Sequence, residues 1–143
     1  MYKALNYWVY GGFSGEKTQF EFIDYAMTRG LDGVELTVGD VLPINITEAE
    51  CRQISAYATE KQIGLRSLAT GFYWGCSLGS PDETERRKAI EFTEKYLNIA
   101  QWLGVKTVLV VPGYTRVAWD PSRSEVSYRD AWEISLKSLR ELL

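Results

Sequence analysis

Apolar positions along the chain fall into two kinds of run. Short continuous runs, rich in β-branched and aromatic residues, occupy 2–10, 34–38, 65–69 and 107–111. That composition predicts four strands. Between and after them, apolar residues recur at three- and four-residue intervals, the period of a helix. Phe20, Ile23 and Met27 mark a first helix over about 18–29, and a second runs over about 47–62. Ile90, Leu97 and Ala100, with Tyr96 and Leu103 beside them, mark a third, and Ala131, Ile134, Leu136 and Leu139 a fourth over about 127–143.

The punctuation agrees with the periods. Thr47 followed by Glu50 makes a capping box at the start of the second helix. Ser80 reads as the N-cap of the third, with Pro81 at its first position and Asp82, Glu83 and Glu85 opposing its positive end. Gly104 closes that helix as a left-handed C-terminal cap. The run 107–111 is continuously apolar, as in a parallel strand covered on both faces.

Three junctions share one grammar: Arg29-Gly30-Leu31, Ile63-Gly64-Leu65 and Leu103-Gly104-Val105, their glycines 34 and 40 residues apart. Each interval holds one strand, one loop and one helix, the rhythm of a parallel α/β fold. The segments after strands (39–46, 70–79 and 114–126) are long, whereas those after helices are only a few residues. This asymmetry predicts an α/β chain forming part of a (β/α)8 barrel, whose site loops follow the strands. A doubly wound sheet is the alternative, but no G-x-G-x-x-G follows the first strand, and Gly11-Gly12 alone is weak. Four βα units are counted where a barrel has eight in about 250 residues. The expectation is that 1–143 is one N-terminal half-barrel, truncated after its fourth helix.

Composition narrows the class. At 143 residues, 45% hydrophobic and 13% aromatic, the chain can bury one real core. A net charge of -3 argues against nucleic acid or an anionic membrane as partner. No apolar run reaches the roughly 18 residues of a membrane span and no leader pattern opens the chain, so a soluble cytoplasmic protein is expected. Cys51 and Cys76, 25 residues apart, form no motif and read as free thiols. There is no histidine, which removes Ser-His-Asp, Cys-His and histidine-bearing zinc chemistry.

The candidate site residues lie at strand ends. Glu35 stands inside an apolar strand, where a charge costs several kcal/mol unless paired or used. It is the candidate catalytic carboxylate, able to bond a sugar hydroxyl or assist proton transfer. The structural alternative pairs it with Arg66 on the next strand. Asn6 and Trp8 alternate on one face of the first predicted strand and are candidate substrate-binding residues. Trp74, beside Phe72 and Tyr73, and Tyr114 with Trp119, lie in loops after the third and fourth strands. Such aromatics can stack on a sugar ring or shield a site from water. Glu83, Glu85, Arg86, Arg87, Lys88, Glu91, Glu94 and Lys95 read as a solvated helix face. Asp40 and Asp120 have no ligand spacing, and no metal site is expected on this chain.

Three stretches carry a resemblance: Leu31-Asp32-Gly33-Val34-Glu35-Leu36; Ser80-Pro81-Asp82 with Arg86-Arg87-Lys88-Ala89; and Ala100 through Leu103-Gly104-Val105 to Val111-Pro112-Gly113. They resemble the xylose isomerase-like TIM-barrel superfamily, most of all its tagatose/psicose 3-epimerases and hexulose-phosphate isomerases. The resemblance covers the first half of that barrel. It implies metal-assisted proton transfer next to a ketose carbonyl, with one divalent ion (manganese, magnesium or cobalt) and two carboxylates. The family's metal ligands come from strands five to eight, so the resemblance implies no cofactor bound by this chain and a divalent metal in the complete barrel. Glu35 matches the family's acidic residue on strand two. Asn6 stands where relatives place an aromatic, a departure that bears on sugar preference. The zinc-dependent apurinic endonucleases of the same superfamily use histidines that this chain lacks.

The implied partner is a sugar or sugar phosphate, with a homodimer or a complementing C-terminal half-barrel to cover the open strand edges. Alone, the chain is expected to be inactive. Two rivals stand beside this reading: a dimeric half-barrel acting as a binding or scaffold module without catalysis, and a flavodoxin-like cofactor binder.

Overall fold

The computed structural model describes residues 2–143. In chain order it contains β1 (Ala4–Asn6), α1 (Tyr7–Gly11), α2 (Gln19–Thr28), β2 (Gly33–Val38), α3 (Glu48–Glu60), β3 (Gly64–Thr70), a 3-10 turn (Phe72–Trp74), α4 (Glu83–Leu103) and α5 (Tyr128–Glu141). The three strands form a parallel sheet in the order β1-β2-β3. A parallel bridge from Leu68 to Val108 continues that order on the far side of β3. Sequential order without reversal is that of a partial (β/α) barrel; a doubly wound sheet reverses direction beside its first strand.

Four local expectations are corrected. The first strand stops at Asn6 instead of running to Tyr10. The Asn6 side chain accepts the Trp8 N–H at 2.7 Å and caps α1, so Trp8 stands on a helix and does not alternate with Asn6 along a strand. Asparagine is a strong N-cap, and here that preference overrides the β-propensity of the aromatics after it. The run 107–111 is held by one bridge, through Leu68 N–H to the Thr107 carbonyl (3.1 Å) and Leu109 N–H to the Leu68 carbonyl (2.8 Å). It is not covered on both faces: Thr107 is exposed and Leu109 is 45% exposed.

The third predicted helix, α4, starts at Glu83, with Asp82 rather than Ser80 as its cap. Asp82 Oδ1 accepts the N–H groups of Thr84 (2.7 Å) and Glu85 (3.1 Å), while Ser80 Oγ accepts that of Asp82 itself. The helix faces are also rephased. α2 buries Phe22, Ile23 and Ala26 and leaves Met27 exposed. α4 buries Ala89, Ile90, Phe92, Tyr96, Ile99, Ala100 and Leu103 but exposes Leu97, and α5 buries Ala131, Ser135 and Ser138 while Leu136 is exposed. The Thr47–Glu50 capping box and the left-handed Gly104 (φ 73) stand as read, and Thr18–Glu21 adds a second capping box.

The chain forms two compact units, the first reaching Thr70 and including Tyr96–Leu109, the second comprising Gly71–Lys95 and Val110–Leu143. In the first, Val34, Leu36 and Val38 turn one face of β2 to α2 and α3, where Phe22, Ile23, Cys51, Ile54 and Ala58 are buried. Tyr96 closes that unit from α4, its hydroxyl donating to the Leu68 carbonyl at 2.6 Å. In the second, Phe72 stacks on Phe92 at 3.8 Å and the Tyr73 hydroxyl meets Thr93 Oγ1 at 2.9 Å. α5 approaches its neighbours through small residues: Ser135 Oγ donates to the Pro112 carbonyl and Ser138 Oγ to that of Leu78, each at 2.8 Å. A Cβ at Gly79 would lie 2.5 Å from Ser135 Oγ and 3.1 Å from the Gly113 Cα, so only glycine permits this approach.

Both thiols are buried and free. Burial, with Glu50 and Glu48 nearby, pushes the Cys51 thiol up to about 11 from 9.0. Between those values the unfolded chain loses this proton while the folded chain keeps it. Stability is therefore full below pH 9 and falls by at most about 2–3 kcal/mol as pH rises toward 11. Urea midpoints at pH 8 and 10.5 should drop more for the wild type than for Cys51→Ala; equal drops would show that the thiol carries no linkage.

Candidate functional site

The geometry around Glu35 starts from strand register. β1 pairs Asn6 with Glu35, and β2 pairs Val34 with Leu65 but Glu35 with Ser67. One residue of β3, Arg66, is thus extruded as a bulge, uncommon between parallel strands. In unbroken register Arg66 would oppose Glu35 and neutralise it. The bulge puts Ser67 there instead, and a polar row Asn6–Glu35–Ser67 crosses the sheet on the face opposite α2 and α3.

The Glu35 carboxylate is half-buried. Its Oε1 accepts from Asn6 Nδ2 at 2.6 Å and its Oε2 from the Ser67 hydroxyl. Among the described residues no ion pair involves it. Arg66, the expected partner, lies elsewhere: its Nη2 donates to the Asp32 carbonyl at 3.1 Å and its guanidinium covers the Tyr2 ring at 4.1 Å. It reaches there by crossing two paired glycines, since a Cβ at Gly33 or Gly64 would fall 2.5–2.8 Å from its side chain. The charge at Glu35 is therefore held by neutral donors, which satisfy the carboxylate without cancelling it.

Further along the same face, Thr37 is fully buried and its hydroxyl has no partner among the described residues. Near the C-terminal ends of the strands, the Trp8 indole N–H donates to Asp40 Oδ2 at 2.8 Å, and Phe13 lies 5.5 Å from the Trp8 ring. Asn6, Trp8 and Glu35 are thus gathered in the first unit, with Ser67 and Asp40 as partners. Ser67 carries no sequence signal, because only the bulge brings it opposite Glu35.

The other three candidates, Trp74, Tyr114 and Trp119, meet in the second unit. Trp74 stacks on Tyr114 (6.1 Å between centroids) and meets Trp119 edge-on at 5.0 Å. Trp74 is 37% and Trp119 69% exposed, so aromatic surface is left open. Behind them, Arg123 donates to the Tyr114 hydroxyl from Nη2 (2.6 Å) and Nε (3.0 Å) and to the Gly75 carbonyl from Nη1 (2.8 Å), and it pairs with Glu85. Glu85 is therefore not on a solvated face: it also accepts the Ser77 N–H at 2.8 Å. A cavity of about 220 Å³ opens beside these groups, lined by Ser77, Ser80, Asp82, Tyr114 and Arg123 among others.

The donors present do not assemble a metal site. Among the described residues no three acidic, cysteine or histidine groups come together. The Glu35 oxygens are engaged by Asn6 and Ser67, Asp40 Oδ2 by Trp8, and Asp120 Oδ1 by Ser122 at 2.6 Å. No helix of the described residues is long and apolar enough to cross a membrane.

The sequence pattern of the xylose isomerase-like TIM barrel matches residues 23–143. The chain belongs to that family. No curated protein matches it significantly. Among solved structures, a D-psicose 3-epimerase crystallised with D-fructose is similar at 17% identity and TM-score 0.81, over 99% of this chain and 47% of the epimerase. The D-psicose 3-epimerase of Clostridium cellulolyticum H10, solved with D-tagatose, is similar at 21% identity and TM-score 0.78, with the same coverage of both chains. A 3-keto-D-glucoside 4-epimerase of E. coli follows at 19% identity and TM-score 0.70, with 51% of its length covered. The xylose isomerase-like chain thus spans about half the length of these solved relatives, and at these identities the likeness establishes the fold.

Proposed function

We propose that this chain is the N-terminal half of a sugar or sugar-phosphate isomerase/epimerase barrel and supplies the substrate-holding part of its site. One observation carries the reading: the Glu35 carboxylate stands on the sheet face held by two neutral donors, with no ion-pair partner among the described residues. Such a group accepts hydrogen bonds from sugar hydroxyls and, at a carbon next to a ketose carbonyl, can take or return a proton. Asn6 and Ser67 fix its orientation, and Trp8 belongs to the same unit through its bond to Asp40. Within the second unit, considered by itself, Trp74, Tyr114 and Trp119 offer apolar faces suited to a sugar ring. Family membership and the likeness to three sugar epimerases support this assignment. On this reading the divalent ion belongs to residues of the other half of the barrel. Two buried free thiols suit the reducing cytoplasm that the reading assumes.

The test is titration of the purified chain with D-fructose and D-tagatose, followed by tryptophan fluorescence, beside an assay for D-psicose formation with manganese added. Saturable binding without turnover is expected. Turnover by this chain alone would overturn the half-site reading, and no saturable response to either ketose would overturn the sugar reading. A second reading, a half-barrel that pairs with a copy of itself without catalysis, is favoured by the exposed edge at 107–109. Light scattering that gives a discrete dimer supports it, and a monomer removes it.

A further inference from the structure

We infer that Arg123 is a positioning and specificity-determining residue: it fixes the Tyr114 ring within the Trp74–Tyr114–Trp119 cluster and leaves the Tyr114 hydroxyl hydrogen free to donate to a ligand oxygen. The inference deepens the sugar-binding reading and rests on it for the nature of the ligand. Its geometry stands independently. One guanidinium ties three stretches that are distant in sequence: the Gly75 carbonyl after β3, the Glu85 carboxylate in the first turn of α4, and the Tyr114 hydroxyl. The Arg123 and Glu85 side chains are only 22% and 23% exposed, so the pair is shielded from the screening that weakens surface ion pairs. Glu85 is itself anchored by the Ser77 N–H, which fixes the guanidinium.

The consequence for Tyr114 follows from the donor inventory. A phenol oxygen can accept hydrogen bonds and donate one; guanidinium N–H groups can only donate. With Arg123 supplying two N–H contacts, the Tyr114 oxygen is the acceptor and its own hydrogen is directed elsewhere. Its ring is meanwhile held against Trp74 by stacking. An aromatic platform with one outward O–H suits a ligand with an apolar ring face bordered by hydroxyls. That is the chemistry of a sugar.

Arg123→Met keeps the length of the side chain and removes every donor, while Arg123→Lys keeps the charge and loses the fork. Near-ultraviolet circular dichroism reads the coupled Trp74, Tyr114 and Trp119 rings without any ligand. The cluster's share of the signal should be lost in Arg123→Met, the other ring pairs keeping theirs, and be partly restored in Arg123→Lys, with far-ultraviolet spectra unchanged. In the D-fructose titration, Arg123→Met and Tyr114→Phe should each weaken binding about tenfold, and the double variant no further, since both remove one hydrogen bond to the ligand. An unchanged near-ultraviolet signal in Arg123→Met overturns the positioning role whether or not ketoses bind. A wild type blind to D-fructose sinks the sugar reading alone. Wild-type affinity in Tyr114→Phe shows that the hydroxyl hydrogen is not used.

Discussion

Glu35→Gln should leave the fold intact and weaken ketose binding about tenfold or more. The substitution is isosteric, and both neighbours can adapt: Asn6 Nδ2 still finds a carbonyl oxygen, and the Ser67 hydroxyl can turn from donor to acceptor for the new amide. Stability should fall by no more than about 1–2 kcal/mol, since the bonds to Asn6 and Ser67 persist but lose their charge assistance. What disappears is the charge. Hydrogen bonds to an ionised carboxylate are roughly twice as strong as neutral ones, and a sugar hydroxyl donating to Glu35 loses that increment. Glu35→Leu is the harsher control, because it leaves the Asn6 amide without its acceptor and costs about 1–3 kcal/mol in stability besides. Thermal melts and D-fructose titrations of both variants check this. Wild-type affinity in Glu35→Gln would mean the carboxylate only knits three strands together.

Tyr96→Ala should be the most destabilising single change considered, at about 3–5 kcal/mol, by analogy with other buried aromatics cut to alanine. Tyr96 is fully buried, and its hydroxyl lies between the carbonyls of Leu68 (2.6 Å) and Leu109 (3.4 Å). It therefore fastens the segment that continues the sheet beyond β3 by a single bridge. Against a typical net stability of about 5–15 kcal/mol, the alanine variant approaches unfolding. Tyr96→Phe keeps the ring and should lose only about 1 kcal/mol, because the Leu68 carbonyl still receives the Leu109 N–H. Urea midpoints separate the two. Hydrogen exchange at the Leu109 amide should accelerate in both variants. A phenylalanine variant as unstable as the alanine one would put the hydroxyl, not the packing, in charge.

How far the sequence could be read depends on whether the deciding interaction is local. Thr47 with Glu50 and the left-handed Gly104 are fixed by neighbours three or four residues away, and both were legible. Asn6 as a helix cap and Asp82 in place of Ser80 are also local, but the aromatic run after Asn6 reads as strand, and Ser80, two residues before Asp82, is as good a cap by residue type. Glu35 stood out because a carboxylate inside an apolar strand demands an explanation. Its partners did not, since counting along two strands in regular register leads to Arg66, and a bulge has no hydrophobic signature. Arg123 and Glu85 were hidden for the opposite reason. They sit among many other charges, and only three-dimensional placement shows that this pair is sheltered. The run 107–111 has the composition of a buried strand, yet burial belongs to the neighbours a strand has and not to its own residues.

The extruded residue in β3 has a consequence for how this sheet can change. Arg66 opposes no residue of β2, so the pairings on either side of it, Val34 with Leu65 and Glu35 with Ser67, do not run through its backbone. Position 66 is a spare beat in the ladder. Loss of one codon there would uncover the Gly33–Gly64 floor and release Tyr2 and the Asp32 carbonyl from their cation, yet leave Asn6, Glu35 and Ser67 in step. The basic end and the acidic middle of one sheet face are thus separately adjustable, and either can drift or be redesigned without retuning the other.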